Sequence, residues 1–437
     1  MSILFYAWGE PVYVLLMLLS AFINYAAGLM MGRTKSRGKK RTALIGAIIL
    51  DLGLLAYFKY TGFLIGTLNI FGFGLKIPEI ALPIGISFYT FQTMTYTIDV
   101  YRGEVGVQRS YRDFLLYVSL FPQLIAGPIV RYSEIEPQLS ERKTTWRGAF
   151  YGMTRFAQGL GKKALIANYC GNVASAMLDG NLAQNTVLGT WLGIIMYTFQ
   201  IYFDFAGYSD MAIGMGRIFG FTYSENFDLP YTSKSITEFW RRWHISLGSF
   251  FRDYVYIPLG GNRNHQLVNL LVVWSLTGLW HGASWNFVFW GMYYFVILVI
   301  EKTYKEKLDT LPGILRHFIT LFLVVIGWTI FYCTDMSRLW QTLGCMFGLY
   351  GSGFSDFTTK IKLTNNIFLF LLAAIASSSL PRIVGNLIKG RCLAKESPVF
   401  LKKGYVIALG LLDWIIIALS VVSLVGSSYN PFLYFRF

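Results

Sequence analysis

Long apolar runs, separated by short polar stretches rich in Lys and Arg, recur along the whole chain. The clearest runs lie at residues 11–31, 42–58, 314–332 and 405–425. Each approaches the length of about 20 residues that a membrane-spanning helix needs. Shorter or interrupted runs lie at residues 80–98, 149–178, 187–203 and 367–380. The pattern predicts one all-α polytopic membrane protein of about ten to twelve membrane segments, some of them broken or re-entrant.

One broken segment is predicted at residues 115–130, which contain Pro122, Gly127 and Pro128. Irregular backbone at membrane depth is tolerated only where it is buried in protein or lines a cavity. Polar or basic stretches at 131–147 and 382–403 are predicted to be loops. Lys59, at the end of the run at 42–58, is expected to extend its ammonium group to the membrane surface.

The run at residues 267–300 contains no charged side chain and is too long for one span and too short for two. Gly278, Gly282 and Ser284 therefore mark a predicted bend, with His281 located at it. An ionisable residue at membrane depth indicates a pathway or a reaction site by default, although a histidine satisfied by neighbouring helices is an equally simple interpretation.

Residues 239–258 show a helical stripe of apolar side chains beside a stripe of polar ones. The apolar stripe comprises Trp240, Trp243, Leu247, Phe250 and Tyr254, and the polar stripe comprises Arg242, Ser246, Ser249 and Asp253. The spacing predicts a single amphipathic helix that lies in the interface or lines a wet cavity. His244 falls at the edge of the apolar stripe.

The composition agrees with a membrane protein, because 54% of the residues are hydrophobic and only 14% are charged. The net charge of +15 comes from basic residues between the apolar runs, as in cytoplasmic loops, and does not imply a nucleic-acid partner. The basic stretch at 33–41 predicts an N-terminus outside the cytoplasm, and Lys402 and Lys403 predict the same for the C-terminus. No removable signal peptide is predicted, because no basic stretch precedes the first apolar run.

The remaining titratable residues suggest no metal centre. The four cysteines show no C-x-x-C spacing, and neither a disulfide framework nor a metal site is predicted. His265 and His317 are interpreted as solvated or structural. Asp204, Asp210 and Arg217 interrupt an apolar region, and an ion pair between helices is favoured over a substrate-lining role.

Several longer segments carry a family resemblance. They are F-W-R-R-W-H-I-S-L at 239–247, R-D-Y-V-Y-I-P-L-G-G-N-R at 252–263, G-L-W-H-G-A-S-W-N-F-V-F-W-G at 278–291, L-P-I-G-I-S-F-Y-T-F-Q at 82–92 and F-P-Q-L-I-A-G-P-I-V-R at 121–131. These segments resemble the membrane-bound O-acyltransferases (MBOAT), and most closely the membrane subunits of bacterial alginate O-acetyltransferases. The resemblance implies one integral membrane domain over 1–437, with the MBOAT fold around a central cavity or tunnel.

The resemblance also implies a site. His281 matches the family's catalytic histidine, and we expect it to act as a general base. His244 matches the family's second polar position and is expected to orient a reactant or to donate a hydrogen bond to the oxyanion. The side chains expected along the substrate tunnel are Trp240, Arg241, Trp243, Trp280, Trp285 and Asn286, and the indole N–H groups of Trp280 and Trp285 are candidate donors. No bound metal or permanent cofactor is expected.

The chain ends in N-P-F-L-Y-F-R-F at residues 430–437. Aromatic side chains at a span end commonly anchor a protein at the membrane interface. The tail also resembles an aromatic motif of bacterial acyl-transfer systems, and this resemblance makes Tyr434 a candidate acyl relay.

The function that the resemblance implies is acetyl transfer across the bacterial cytoplasmic membrane. The expected donor is acetyl-CoA, and the expected final acceptor is a cell-envelope polysaccharide. The acetyl group is expected to reach it through an extracytoplasmic transferase or esterase-like partner. The protein is also expected to contact membrane lipid. One alternative is D-alanyl transfer from a carrier protein to teichoic acids. An alternative of another class is an ion or solute transporter, although no inverted repeat is detectable.

Overall fold

The computed structural model describes residues 1–125, 127–426 and 432–433, and within them it contains helices and no β-strand. The first helices are α1 (Ser2–Gly9), α2 (Val14–Arg33), α3 (Arg37–Leu55), α4 (Thr61–Ile70), α5 (Ile86–Arg102), α6 (Tyr111–Ser119), α7 (Phe121–Leu124) and α8 (Tyr132–Glu141). The central helices are α9 (Trp146–Gly161), α10 (Asn168–Leu178), α11 (Val187–Ile218), α12 (Ile236–Arg242), α13 (Ile245–Phe251), α14 (Gln266–His281) and α15 (Trp285–Thr303). The last helices are α16 (Lys305–Asp309), α17 (Gly313–Tyr332), α18 (Met336–Met346), α19 (Phe357–Asn365), α20 (Ile367–Ser377), α21 (Leu380–Leu393) and α22 (Val399–Val425).

Three π-helical segments continue α-helices without a break: Ala56–Tyr60, Lys162–Ala167 and Arg252–Tyr256. Such segments insert one extra residue into a helical turn and are frequent at functional sites. Two short 3₁₀ turns lie at Leu182–Gln184 and Pro230–Thr232. As a result of the first π segment, α3 and α4 form one long helix, where the sequence pattern had predicted a span of only 42–58.

Among the described residues, four helices are long and apolar enough to cross a membrane: α2, the continuous helix Arg37–Ile70, α17 and α22. The helices α19 and α20 together form a fifth candidate, bent by 55°. The long spans predicted near the two ends of the chain and at 314–332 are therefore confirmed. The total of ten to twelve segments stays a prediction, because most of the other helices are shorter than a full span.

Two predicted loops are wrong. Residues 131–147 contain α8, whose Tyr132 and Ile135 are buried, and residues 382–403 contain most of α21, which has no buried residue. The polarity of a stretch does not distinguish a loop from a surface helix, because a helix at a protein surface tolerates charge around most of its circumference. The predicted interruption at 115–130 is confirmed: α6 and α7 are short, and the irregular chain after them is buried at Ile129 and Val130.

A buried polar network joins the N-terminal helices α2, α3 and α5. Asp51 accepts hydrogen bonds from Ser20 at 3.0 Å and from Asn24 at 2.7 Å, and the amide oxygen of Asn24 accepts one from Thr97 at 2.5 Å. Helices α2 and α5 run in the same direction, because Tyr6 in α1 donates to the carbonyl of Ile84 and Asn24 meets Thr97 further along. The basic end of α2 and the C-terminal end of α5 therefore lie on the same side of the molecule.

The longest helix, α11, packs against α9 and the π segment that follows it. Ion pairs fix this contact: Asp210 binds Arg155 at 2.6 Å and Lys162 at 2.5 Å, and Asp204 binds Lys163. The prediction that these aspartates pair across helices is confirmed. Arg217 is not their partner; it donates to the hydroxyl of Thr222 at 2.5 Å.

Candidate active site

His281 lies at the break between α14 and α15, as the sequence pattern predicts. Helix α14 ends at His281, Gly282 is extended, and α15 begins at Trp285. The two helices pack so closely that a Cβ atom on Gly278 would clash with the carbonyl of Phe287, and one on Gly291 with the carbonyl of Trp274. Glycine at these two positions therefore sets the spacing of the helix pair that carries His281.

The imidazole of His281 is enclosed by aromatic rings. Its centroid lies 5.0 Å from Trp290, 5.1 Å from Trp280 and 5.2 Å from Phe331, and the residue is 6% exposed. Within the described part of the chain, its Nδ1 atom has no hydrogen-bond partner. Buried polar groups normally have one. A histidine satisfied by neighbouring helices, the alternative interpretation of the sequence, is therefore not what the structure shows at this nitrogen.

The last turn of α14 is held from outside by the π segment Ala56–Tyr60. Lys59 Nζ donates a hydrogen bond to the carbonyl oxygen of Trp280 at 2.5 Å, and Tyr60 OH donates to that of Leu279 at 2.7 Å. The prediction that Lys59 extends to the membrane surface is wrong, because its ammonium group binds a helix C-terminus, where carbonyl groups lack intrahelical partners. The chain next to His281 is thereby fixed.

His244 lies at a second helix break, between α12 and α13. The predicted single amphipathic helix at 239–258 is therefore wrong. His244 has a left-handed backbone (φ 45°), and the amide of Ile245 donates at 2.9 Å to the carbonyl of Asn226 rather than within a continuous helix. Tertiary hydrogen bonds here outweigh helical periodicity.

The two histidines meet the same tryptophan. The His244 ring is 5.6 Å from the Trp280 ring and 4.7 Å from Phe205, while His281 contacts Trp280 from its own side at 5.1 Å. His244 is 2% exposed, and its Nε2 atom bonds no described residue. The structure thus brings together two histidines between which α13, a π segment and most of α14 lie in sequence.

Asn226 is the residue at this site that sequence reasoning missed. Its side chain is fully buried, and its Oδ1 atom lies 3.1 Å from His244 Nδ1, 3.2 Å from the Ser246 amide nitrogen and 2.8 Å from Ser246 Oγ. Its Nδ2 atom donates to Ser209 Oγ at 3.1 Å. Asn226 lies in an irregular segment after α11, where no periodicity distinguishes it from a surface asparagine.

Three of the six predicted tunnel residues, Trp240, Trp243 and Trp280, belong to an aromatic cluster beside His281. Trp240 lies 5.3 Å from Trp290, which itself contacts His281, and Trp243 lies 4.7 Å from Trp328. Stacks of this kind hold side chains rigidly while excluding water. The cluster therefore supplies an apolar wall on one side of the imidazole.

Asn286 is fully buried and binds the end of α17, which carries Phe331 of the same aromatic cluster. Its Nδ2 atom donates to the carbonyls of Ile330 at 3.3 Å and Phe331 at 3.4 Å, at the end of α17. Arg241 and Trp285 are exposed, and the Trp285 ring packs 5.5 Å from Phe63. The geometry thus gives Arg241 and Trp285 no contact with either histidine, and their assignment to the tunnel stays a prediction.

A cavity of about 250 Å³ is lined by Ile245 and Ser246, the two residues that follow His244. It lies between the irregular chain at 128–131 and α13, with Ser246, Ser249, Arg131 and Asp253 in its wall. Ser246 accepts a hydrogen bond from the Ile129 amide at 2.9 Å and bonds Asn226. Ser246, in the wall of this cavity, is therefore linked to His244 through the side chain of Asn226.

A second, more open cavity of about 590 Å³ shares Arg131 and Asp253 and extends to Arg102. Arg131 binds Asp253 at 2.7 Å, and Arg252 binds it at 2.6 Å. Burial would raise the pKa of Asp253, but hydrogen bonds from Arg252 and Arg131 outweigh burial and lower that pKa. The cavity lining mixes cations and carboxylates, and its arginines are already paired.

The described part of the C-terminal tail turns back into the protein. The Leu433 amide donates to Asp204 Oδ2 at 2.6 Å, and Leu433 is buried. The Phe432 ring lies 4.6 Å from Tyr208 and 4.8 Å from Lys163 Nζ. Two residues of the tail are therefore bound to the core, where the interface-anchor interpretation expects them at the lipid surface. Tyr434 lies outside the described residues.

The remaining histidines and cysteines take no part. His317 Nδ1 bonds the carbonyl of Ser233 at 2.9 Å, and His265 is exposed at the start of α14. All four cysteines are free. Among the described residues no group of His, Cys, Asp or Glu is arranged to hold a metal ion.

The fold is that of a helical membrane protein, and comparison with known families gives its class. Residues 86–341 match the family model of the membrane-bound O-acyltransferases, and the chain belongs to this MBOAT family. The matched region contains both histidines, their shared tryptophan and Asn226. The protein is therefore a multi-pass membrane O-acyltransferase.

Within the family, the chain is similar over its whole length to bacterial acetyltransferases. It is 38% identical to the probable alginate O-acetylase AlgI of Azotobacter vinelandii, covering 100% of this chain and 93% of the relative. It is 32% identical to a peptidoglycan O-acetyltransferase of Helicobacter pylori, covering 100% and 90%. Similarity to the teichoic acid D-alanyltransferase of Bacillus subtilis is 30% over 57% of this chain and 68% of that protein.

Proposed function

We propose that this protein moves an acetyl group from cytoplasmic acetyl-CoA across the bacterial cytoplasmic membrane for O-acetylation of an extracytoplasmic polysaccharide. The observation that carries the proposal is the buried pair His244 and His281, both in contact with Trp280, in a chain whose full-length relatives are named as O-acetylases. The final acetylation is made by an extracytoplasmic transferase or esterase-like partner.

The chemistry assigned to His281 is general-base catalysis. Its imidazole removes the proton of an acceptor hydroxyl, whose oxygen attacks the thioester carbonyl. The C–S bond then breaks, and the departing thiolate takes the proton back from the imidazole. The rigid aromatic wall of Trp280, Trp290 and Phe331 excludes water, which would otherwise hydrolyse the thioester.

The membrane orientation supports this division into a donor side and an acceptor side. The basic chain around Arg33 and Arg37 is retained in the cytoplasm by the positive-inside rule. Arg102 lies on the same side as Arg33, because α2 and α5 run parallel, and it borders the open cavity. We therefore assign the donor's entry to this open cavity, which shares Arg131 and Asp253 with the smaller cavity lined by Ser246. Its mixed charge does not select an anion, and we assign its role from position rather than from electrostatics.

The tail provides an acceptor on the opposite side. Helix α22 runs from the basic residues Lys402 and Lys403 towards the outside, and the tail after it re-enters the core at Asp204. Tyr434 follows the bound residue Leu433 directly in sequence. We assign its phenol as the first acyl acceptor, which then passes the acetyl group to a serine of the partner.

D-alanyl transfer is the second candidate, favoured by the similarity to the Bacillus subtilis D-alanyltransferase over about half of this chain. The two candidates differ in the donor. Membership of an acyltransferase family disfavours the transporter alternative.

The decisive experiment supplies each donor to the purified protein in proteoliposomes. We expect acetyl-CoA labelled in the acetyl group to be consumed, with label recovered on the protein, and a D-alanyl carrier-protein thioester to be inert. Consumption of the D-alanyl donor alone would replace the proposal by the second candidate. The His281→Ala protein is the matched control for non-enzymatic thioester loss.

A further inference from the structure

Asn226 determines which nitrogen of His244 carries the proton. The amide oxygen and nitrogen of an asparagine must be assigned from the bonds they make. The backbone nitrogen of Ser246 lies 3.2 Å from the amide atom of Asn226 that also faces His244. A backbone N–H can only donate a hydrogen bond, so its partner must be an acceptor. That atom is therefore the oxygen, Oδ1, and the Nδ2 group is free to donate to Ser209 Oγ on the other side at 3.1 Å.

The same logic extends to the imidazole. An amide oxygen accepts hydrogen bonds and never donates. His244 Nδ1, 3.1 Å from Asn226 Oδ1, must therefore carry a proton. In a neutral imidazole only one nitrogen is protonated, and so Nε2 of His244 holds a free lone pair.

The hydroxyl of Ser246 does not disturb this assignment. Ser246 Oγ accepts from the amide of Ile129 at 2.9 Å and donates to Asn226 Oδ1 at 2.8 Å, its shorter contact. It lies 3.4 Å from His244 Nδ1, and because its proton is directed at Asn226 it can only accept there, which also requires the proton on Nδ1. Asn226 therefore holds both His244 and the cavity wall in one orientation.

We propose that Asn226 is a positioning residue that locks His244 with its proton on Nδ1 and an unprotonated Nε2 in the buried site. The proposal rests on the proposed function and deepens it, because it decides between the two roles expected for His244. A neutral His244 accepts a proton or hydrogen bond through Nε2 and therefore orients the O–H or S–H group of a reactant. It does not donate to the oxyanion, because the proton needed for that lies on the side of Asn226.

The test is ¹⁵N NMR of histidine-labelled protein in lipid at alkaline pH. The chain has four histidines, and His265→Gln with His317→Gln leaves only the two in the site. A further His244→Gln variant assigns the signals. We expect His244 with a protonated Nδ1 and a non-protonated Nε2 in the otherwise unchanged protein. A protonated Nε2 there would overturn the proposal.

Substitutions at Asn226 give the second arm. Asn226→Ala removes the accepting oxygen, and we expect a mixture of His244 tautomers and an activity loss no larger than that of His244→Ala, about 10²–10⁴-fold for a proton-transfer residue. Asn226→Asp keeps an accepting oxygen and is expected to restore the single tautomer. Ser209→Ala, which removes only the bond on the far side of the amide, is the matched control and should leave the tautomer unchanged.

An unaltered tautomer in Asn226→Ala would also contradict the proposal, since it assigns the tautomer to this one contact. The NMR measurement does not depend on acetyl transfer. The expected tautomer in a protein without acetyltransferase activity would therefore overturn the proposed function and leave the role of Asn226 standing.

Discussion

His281 and His244 differ in how they are held. His281 is positioned by its backbone, through the helix end and through hydrogen bonds to its two preceding carbonyls, from Lys59 to Trp280 and from Tyr60 to Leu279. His244 is positioned by its own ring, through Asn226. A reacting group needs freedom to exchange its proton, and a positioning group needs a fixed one. This difference supports His281 as the general base.

The first prediction concerns His281. Replacement by Ala or Gln should reduce polymer acetylation about 10²–10⁴-fold, because the acceptor hydroxyl loses its base. The variant should reach the membrane in normal amounts, which immunoblotting checks, while acetate released by mild alkali measures the product. His265→Ala, at an exposed histidine, is the control and should be fully active. Near-normal acetylation by a well-expressed His281→Ala protein would remove the central assignment.

The second prediction concerns Tyr434. Tyr434→Phe keeps the aromatic body and loses only the hydroxyl, so an interface anchor would tolerate it. If the phenol carries the acetyl group, polymer acetylation should stop without loss of protein. In cells lacking the extracytoplasmic partner, mass spectrometry of the wild type should find acetyl-tyrosine at residue 434, and His281→Ala should lack it. Full acetylation by the Tyr434→Phe protein would exclude Tyr434 as a carrier of the acetyl group. Direct transfer from the site to a serine of the partner would then remain.

At the scale of elements, the site depends on breaks in helices and on close helix pairs. The α14–α15 pair presents His281 because Gly278 and Gly291 let the two backbones touch. The α12–α13 break presents His244 because Asn226 binds the amide of Ile245. Both histidines therefore lie at helix breaks and not within continuous helices.

The third prediction tests the helix pair. Gly278→Ala should separate α14 from α15 and cost about 1–3 kcal/mol of stability, as overpacking does, with a larger relative loss of activity than of folded protein. Thermal unfolding in detergent and acetyl transfer measure the two effects. Gly46→Ala, in α3 with open space around the added methyl group, is the control. Equal behaviour of the two variants would contradict the close packing.

The fourth prediction tests the anchor of the tail. Cysteines at Leu433 and Tyr208, in a protein without its native cysteines, should be joined by a short bifunctional thiol reagent, because the Phe432 ring beside Leu433 contacts Tyr208. The product is read as a tryptic cross-link. A cysteine at Met30, exposed on α2, paired with the one at Leu433 is the control and should remain unlinked. Absence of the first cross-link would contradict a tail bound in the core.

At the scale of the whole molecule, the cavities and the bound part of the tail contact different helices: α13 borders the smaller cavity, and Leu433 binds Asp204 of α11. The cavities border Arg102 and Arg131, on the side of the basic end of α2. The tail binds Asp204 after the opposite end of α22. In the proposed function, the donor enters by the cavities and the tail supplies the first acceptor.

The fifth prediction concerns this orientation. In intact cells, single cysteines at Ser36 and Ser397 should resist a membrane-impermeant thiol reagent, because both lie among basic residues that stay inside. A cysteine at Ser428, outside the described residues, should react. Permeabilised cells should label all three. Labelling of Ser36 or Ser397 in intact cells would reverse the assigned topology.

The sequence alone determined the class of fold, the break at His281 and the buried chain at 115–130, because run lengths, glycine and proline act locally. It also pointed to His244 by family resemblance, and to the charged pairs around Asp204. Three features required the tertiary structure. They are the helix break at His244, the binding of the Lys59 ammonium group to the end of α14 and the hydrogen bonds of Asn226. Each of these is a hydrogen bond between segments far apart in the chain, such as Lys59 to Trp280, and no local periodicity encodes it. Periodicity predicts which face of a helix is apolar; only the packed molecule decides where a polar group finds its partner.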